Sequence, residues 1–239
     1  HFSMLQALRL SLLGVHFLVA GAINMVIVLI RPFNPDNSRL CGRVYSLPAL
    51  RFLGLDADLQ VDEFRKLNSP CVVVVNHLSN FDLFIMGSVV PRRTVTIGKK
   101  SLRWVPIFGQ IYWLAGNVLI NRSNAAQAKQ AMLETTEALQ KRDTSIWVFV
   151  EGTRNLGKGL LPFKKGAFQM AIAAQVPIVP LCCSNYKRSM RLNRWHSGKL
   201  VIRALPPIST TGMTLDDMPE LMERCRAQMV TCIDLLDAE

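Results

Sequence analysis

The chain predicts an α/β domain with a mostly parallel or mixed central sheet flanked by helices, preceded by hydrophobic helices attached to a membrane. Three observations carry that prediction. Val72–Val75 is a run of four β-branched residues, which suits a short strand buried on both faces between layers of helices. Further short apolar runs recur at 94–98, 116–122, 145–150, 177–183 and 200–205, spaced by segments of helical composition. Ahead of them, residues 10–30 include no Asp, Glu, Lys or Arg. As a helix that stretch measures about 32 Å, roughly one hydrocarbon thickness.

Composition narrows the function classes. The 239 residues are 50% hydrophobic with a net charge of +11, and the mean hydropathy is +0.22. A basic chain this apolar fits an anionic membrane surface better than nucleic acid, for which no basic stripe interleaved with exposed aromatics is visible. The six cysteines at 41, 71, 182, 183, 225 and 232 form no C-x-x-C pair and no zinc spacing with histidine. They read as small buried hydrophobes in a reducing compartment, with no structural metal.

Taken in order, His1-Phe2-Ser3 ahead of Met4 read as a remnant outside the fold. Residues 10–30 either just span a bilayer or, given Gly14, Gly21, His16 and Asn24, form a bent pair of helices in one leaflet. Arg9 before Ala20-Gly21-Ala22 imitates a secretory signal, but the apolar run continues past that point, which favours retention. Arg31, Arg39 and Arg43 follow the run and only Arg9 precedes it, so the body of the protein is expected on the cytoplasmic face of the inner membrane. Leu40, Val44 and Leu47 beside Arg39 and Arg43 predict a short amphipathic helix ending near Pro48, set either on headgroups or on the domain. We divide the chain into membrane-attachment helices at 1–53 and a catalytic domain at 54–239.

Leu55, Ala57, Leu59 and Val61 alternate with polar residues and predict a strand leading toward the central one. The central strand delivers Asn76-His77 to its carboxyl end, where ligands of open α/β sheets collect. Ser79 or Asn80 is expected to cap a helix beginning near Phe81, with Asp82 in its first turn. A carboxylate there accepts the Nδ1 proton of His77 and leaves Nε2 free as a base. The run at 94–98 leads into Lys99 and Lys100, a potential anion site; Arg93 stands where a P-loop needs its first glycine, so nucleotide binding is rejected. Residues 104–114, broken by Pro106 and Gly109, read as core or as a membrane or acyl-chain border.

A strand at 116–122 ends in Arg122, Asn124 caps the Ala/Gln/Lys helix that follows, and a strand at 145–150 delivers Glu151-Gly152-Thr153-Arg154. Gly152 permits a tight turn, Thr153 offers a hydroxyl, and Arg154 offers a planar fork for phosphate. Glu151 is expected to orient arginines or accept from a substrate hydroxyl. Residues 163–174 read as helix, and 177–183 as a strand whose prolines suit a sheet edge or strand end. At the C-terminus Thr214 with Asp217 makes a capping box, and Leu221, Met222, Cys225, Met229, Cys232 and Leu236 form one apolar stripe for core packing.

Four blocks thus stand in one order: Asn76-His77-x4-Asp82; Gly116-Asn117-Val118-Leu119-Ile120-Asn121-Arg122; Phe149-Val150-Glu151-Gly152-Thr153-Arg154; and Val176-Pro177-Ile178-Val179-Pro180. Together they resemble the glycerophospholipid acyltransferases, within them the bacterial 1-acyl-sn-glycerol-3-phosphate O-acyltransferases. The likeness covers about residues 55–207. Two departures stand out: Val150 where that family usually has proline, and Leu119 and Asn121 where it usually has phenylalanine and aspartate.

The resemblance implies a glycerol-3-phosphate acyltransferase-like fold and acyl transfer from acyl-CoA or acyl carrier protein to the 2-hydroxyl of lysophosphatidic acid, giving phosphatidic acid. It implies His77 as general base with Asp82 holding it, and Arg122, Glu151, Gly152, Thr153 and Arg154 on the glycerol phosphate, with Lys99 and Lys100 as further anion ligands. Val176, Pro177, Ile178, Val179 and Pro180 would line the acyl or acceptor site, and no metal or bound cofactor is called for. No G-x-S-x-G occurs, so the acceptor hydroxyl is the nucleophile. The alternatives are a different lysolipid acceptor or a non-catalytic protein that binds anionic lipid. A phosphatase is a third possibility, though the chain offers no second His/Asp cluster for it.

Overall fold

The computed structural model describes residues 3–239, so the reading of His1 and Phe2 lies outside the described residues. Ser3, grouped with them above, belongs to the fold: its side chain accepts from the Gln6 N–H and caps the first helix. The elements run α1 (Met4–Ile30), α2 (Asn37–Leu53), β1 (Leu55–Gln60), α3 (Asp62–Arg65), β2 (Val72–Val75), α4 (Asp82–Met86), β3 (Thr94–Lys99) and α5 (Phe108–Leu114). There follow β4 (Val118–Ile120), α6 (Ala125–Lys141), β5 (Ser145–Phe149), α7 (Gly166–Ala174), β6 (Ile178–Cys183), α8 (Tyr186–Ser189), β7 (Gly198–Ala204) and α9 (Met218–Ala238).

The seven strands form one sheet in the order β1-β7-β6-β2-β5-β3-β4. β6, β2, β5, β3 and β4 are parallel, while β7 runs antiparallel to β6 and β1 follows β7, so the sheet is mixed. The four valines of β2 divide by the two-residue period of a strand. Val73 and Val75 enter the core shared with Leu13, Ala20, Tyr45, Ala49 and Ile85 of α1, α2 and α4. Val72 and Val74 enter the opposite core with Phe168, Ala171, Leu221, Cys225 and Met229 of α7 and α9. The C-terminal stripe is therefore core, apart from half-buried Met222, and the Thr214–Asp217 capping box is formed. All six cysteines are buried and unpaired.

The strand expected from the 55–61 alternation is β1, which lies at the sheet edge, separated from the central strand by β7 and β6. Its exposed Asp56 and Asp58 exclude it from a position covered on both faces. Conversely, the reading of β6 needs correction: it is interior despite Pro180. On the β7 side Ile178 exchanges bonds with Ile208 and the Leu205 N–H reaches the Pro180 carbonyl. Between those two partners stand Pro206 and Pro207, so the missing Pro180 N–H falls where the ladder is already interrupted.

A further correction is that α2 does not stop at Pro48 but runs on to Leu53. An interior proline costs about 3 kcal/mol, and the turn beyond it buries Ala49, Leu50 and Leu53. Its end is also held from outside, because the Arg9 guanidinium donates to the Phe52 carbonyl at 2.9 Å. α2 turns Cys41, Tyr45 and Ala49 inward, leaves Leu47 exposed, and pairs Arg39 with Asp36.

α1 is a single unbroken helix, long and apolar enough to cross a membrane by length and composition. The polar residues that suggested a bend all face inward. Arg9 also reaches the carbonyls of Arg194 and Trp195, His16 Nε2 lies 2.8 Å from the Tyr45 carbonyl, and Asn24 donates to the Cys41 carbonyl at 3.2 Å. The outer face exposes Leu8, Leu12, Val15, Leu18, Val19, Ile23, Val26 and Leu29. The 104–114 segment divides in the same way: Ile111 is core, while Trp104, Val105, Ile107 and Trp113 are exposed.

Candidate active site

The site forms where β6, β2 and β5 end side by side. Val75 pairs with Phe149 on one flank and Leu181 on the other, so His77, Glu151 and Cys183 emerge at one level. The chain is then fastened on both sides. The buried Asn76 amide donates to the Cys183 carbonyl and accepts its N–H, each at 2.9 Å. The His77 N–H donates to Glu151 Oε1 at 2.8 Å, and its carbonyl accepts the Asn155 N–H at 2.8 Å. Ser79 shapes the next turn by accepting the Phe81 N–H on its hydroxyl and the Asp82 N–H on its carbonyl. It does so without being the cap expected of it or of Asn80: the N-cap position of α4 is Phe81, which has no capping side chain.

Asp82 is 3% exposed. Its Oδ2 lies 2.5 Å from His77 Nδ1 and accepts the N–H groups of Leu78 at 2.8 Å and Ser79 at 3.3 Å. Its Oδ1 accepts the hydroxyl of Tyr186. With Oδ2 of this carboxylate accepting from the ring, the neutral imidazole has its proton on Nδ1 and the Nε2 lone pair is free. Nε2 has no hydrogen-bond partner among the described residues, and the ring remains partly exposed, stacked on Phe149 with centroids 4.0 Å apart. Burial first, and the Asp82 charge second, push the Tyr186 phenol far above its ordinary range and keep it protonated. The same two causes raise the Cys183 thiol.

Past the Glu151 turn that holds the His77 N–H lies a cavity of about 330 Å³ lined by Lys99, Arg122, Glu151, Gly152, Thr153, Leu161, Pro162 and Lys164, with His77 itself outside the lining. Three cations at the ends of β3 and β4 and after β5 therefore face one space, an arrangement that takes an anion. Gly152 sits at φ 71° with Lys164 Cγ 3.0 Å from where a Cβ would stand, so glycine is required there. Its carbonyl accepts from Arg122 Nη1 at 2.5 Å, which points the guanidinium across the turn.

Among the residues singled out from sequence, His77 and Asp82 meet, and Lys99, Arg122, Glu151, Gly152 and Thr153 share the cavity. Glu151 is 1% exposed and its oxygens are occupied by His77 N–H, Leu161 N–H and the Asn155 side chain, so it ties backbone together and touches neither arginine. Arg154 lies outside the cavity lining and donates to Asn80 Oδ1 at 2.7 Å, linking two turns. Lys100 opens the 3-10 turn Lys100–Trp104 and is also outside the lining.

Val176, Pro177, Ile178, Val179 and Pro180 sit at the wrong end of the sheet to meet His77. Val72, at the start of β2, donates to the Pro177 carbonyl, and Ile178 and Val179 are core. The sequence reading gave no site role to Tyr186, Asn155, Lys164 or the Leu161 N–H, for which no local signal exists.

Comparison with known proteins adds an independent line. The family model described as Acyltransferase matches residues 58–184. The chain is 39% identical over 236 residues to the 1-acyl-sn-glycerol-3-phosphate acyltransferase of Escherichia coli K12, covering 99% of this chain and 96% of that one. It is 38% identical over 240 residues to the protein of that name from Haemophilus influenzae, covering 99% and 98%. The human alpha form is 39% identical over 204 residues, 84% of this chain and 72% of its own. In fold, the crystal structure of the 1-acyl-sn-glycerophosphate (LPA) acyltransferase from Thermotoga maritima superimposes with a TM-score of 0.72 over 98% of each chain, at 21% identity.

Proposed function

The chain belongs to the acyltransferase family that includes the 1-acyl-sn-glycerol-3-phosphate acyltransferases, and on that premise we propose that it transfers an acyl chain from acyl-CoA or acyl carrier protein to the 2-hydroxyl of 1-acyl-sn-glycerol-3-phosphate. The observation that carries this reading is His77, aimed by Asp82 and joined through Glu151 to a cavity ringed by Lys99, Arg122 and Lys164. The cations hold the acceptor's phosphate. His77 Nε2 takes the proton of its hydroxyl as the oxygen attacks the thioester carbonyl. Asp82 steadies the imidazolium so formed, as the acid of a catalytic triad does. When the tetrahedral intermediate collapses the carbon–sulfur bond breaks, and the imidazolium returns its proton to the departing thiolate. Acceptor oxygen, His77 and sulfur form the whole proton path, so no metal or bound cofactor enters it.

The exposed apolar face of α1 is the natural contact with the bilayer that holds the lipid substrate, and the arginine bias behind it favours the cytoplasmic side. Labelled acyl thioester and lysophosphatidic acid, incubated with the protein in vesicles, are expected to yield labelled phosphatidic acid. His77→Ala is expected to lower turnover at least about a hundredfold with the fold retained. Turnover by that variant close to the parent's defeats the base assignment. Binding of the lipid without ester formation by the parent protein supports a non-catalytic binder instead.

A further inference from the structure

Among the described residues, Tyr186 is the one buried polar side chain in contact with Asp82 that the mechanism above leaves without a role. It is fully buried, 104 residues beyond Asp82, and opens α8 at the exit of β6. Its frame is rigid with respect to β2, because Asn76 and Cys183 exchange two hydrogen bonds and the Tyr186 N–H closes a turn onto the Ser184 carbonyl at 2.8 Å.

Counting protons gives the direction of the network. The phenol has one proton and lies against Asp82 Oδ1 and, at 2.7 Å, Ser79 Oγ. The carboxylate only accepts, so the phenol donates to it. Ser79 Oγ already accepts the Phe81 N–H and gives its own proton to the phenol oxygen. The chain runs Ser79 to Tyr186 to Asp82, with His77 on the carboxylate's other oxygen. Phenylalanine would fill the same volume, so the hydroxyl alone accounts for what tyrosine adds.

We propose that Tyr186 is a positioning residue of the acyl-transfer site, whose hydroxyl fixes the rotation and charge of the Asp82 carboxylate and, through it, the orientation and proton affinity of His77. This rests on His77 acting as the base. With Oδ1 occupied, Asp82 neither turns away from Nδ1 nor competes for the proton His77 takes from the acceptor. The phenol's strongly raised pKa, caused by burial and then by Asp82, keeps it a donor throughout the working range. The other charges near the network are Glu151, on the His77 N–H, and Asp237 of α9, which accepts the Asn185 N–H and acts on Cys183. Neither is altered by changing Tyr186.

The test is the pH dependence of kcat for Tyr186→Phe. Losing the phenol proton leaves the carboxylate more negative toward the ring, so the imidazolium is favoured and His77 loses its proton only at higher pH. We expect the acid limb to move up by about one pH unit. At neutral pH kcat falls about tenfold, with the KM values for donor and acceptor within about twofold. In an Asp82→Ala background the same change has no further effect on kcat.

Ser79→Ala, which weakens the phenol as a donor, moves the limb in the same direction by less and serves if Tyr186→Phe does not fold. An unmoved limb in whichever variant folds, even with a lowered Tm, means the tyrosine is only structural and overturns the proposal. If His77→Ala turns over normally, the general-base reading itself falls; if that variant is dead while the Tyr186→Phe limb stays put, only the present inference falls.

Discussion

At the scale of single residues, what a side chain does here is decided by burial, and burial is what separates Glu151 from Arg122. Both face the cavity, but the Glu151 carboxylate is sealed beneath it and holds two backbone N–H groups and Asn155, whereas Arg122 spends one nitrogen on the Gly152 carbonyl and remains partly exposed. Charged hydrogen bonds of the Glu151 kind contribute about 1.5–3 kcal/mol each. Glu151→Gln turns an N–H donor toward another N–H, so it is expected to lower Tm and kcat together. Arg122→Ala is expected to raise acceptor KM and leave Tm within about a degree, as exposed changes do. Thermal melts alongside steady-state kinetics check both, and equal losses of Tm would contradict the division. His77 and Asp82 were legible in the sequence because five residues and a strand end bring them together. Glu151's role was not, since E-G-T-R reads the same whether its carboxylate points into solvent or under the neighbouring turn.

Among the elements, legibility follows the same line between local and long-range information. The strands and the helices after Asn124 and Thr214 came out within a few residues because valine runs, Asn124 and the Thr214–Asp217 box act locally, whereas the short helices α3, α5 and α8 were not read. The place of β1 in the sheet depends on pairing with β7, more than a hundred residues away, and was not read; that of β6, between β7 and β2, was misread. The crossing of α2 over the Gly87–Val89 turn is a second long-range fact. Gly42 and Gly87 meet backbone to backbone, and a Cβ on either would stand 2.4 Å from the other's carbonyl oxygen. Gly42→Ala therefore pushes α2 off the layer that carries α4 and Asp82, at about 1–3 kcal/mol. Gly14→Ala on α1, with nothing within 4 Å of the added carbon, is the contrast: it removes a helix-disfavouring residue worth about 0.5–1 kcal/mol. Denaturant melts of the two variants should move in opposite directions; a neutral Gly42→Ala would mean that the crossing yields without strain.

For the whole molecule, the question is how a helix long enough to span a bilayer is joined to the α/β body. A lone spanning helix meets lipid on all sides for about 30 Å. Along α1, however, Arg9, Leu13, His16, Ala20, Asn24 and Val28 face protein, and from Arg9 to Val28 the helix rises about 29 Å. The body thus flanks the helix over almost its entire length, and only the outer stripe is left for lipid. We therefore predict attachment to one leaflet, with the exposed side chains of α1 toward lipid. Two changes to α1 should then part company. Replacing Leu12, Val15, Val19 and Ile23 by glutamine removes only the lipid-facing side chains and should release the protein from sedimenting vesicles with its melting transition intact. Deleting residues 1–30 strips Arg9, Leu13, Ala20 and Val28 from the packed interior and should abolish cooperative melting rather than yield a soluble enzyme. A deletion variant that melts cooperatively and turns over would show instead that α1 is an anchor hung on an independent domain.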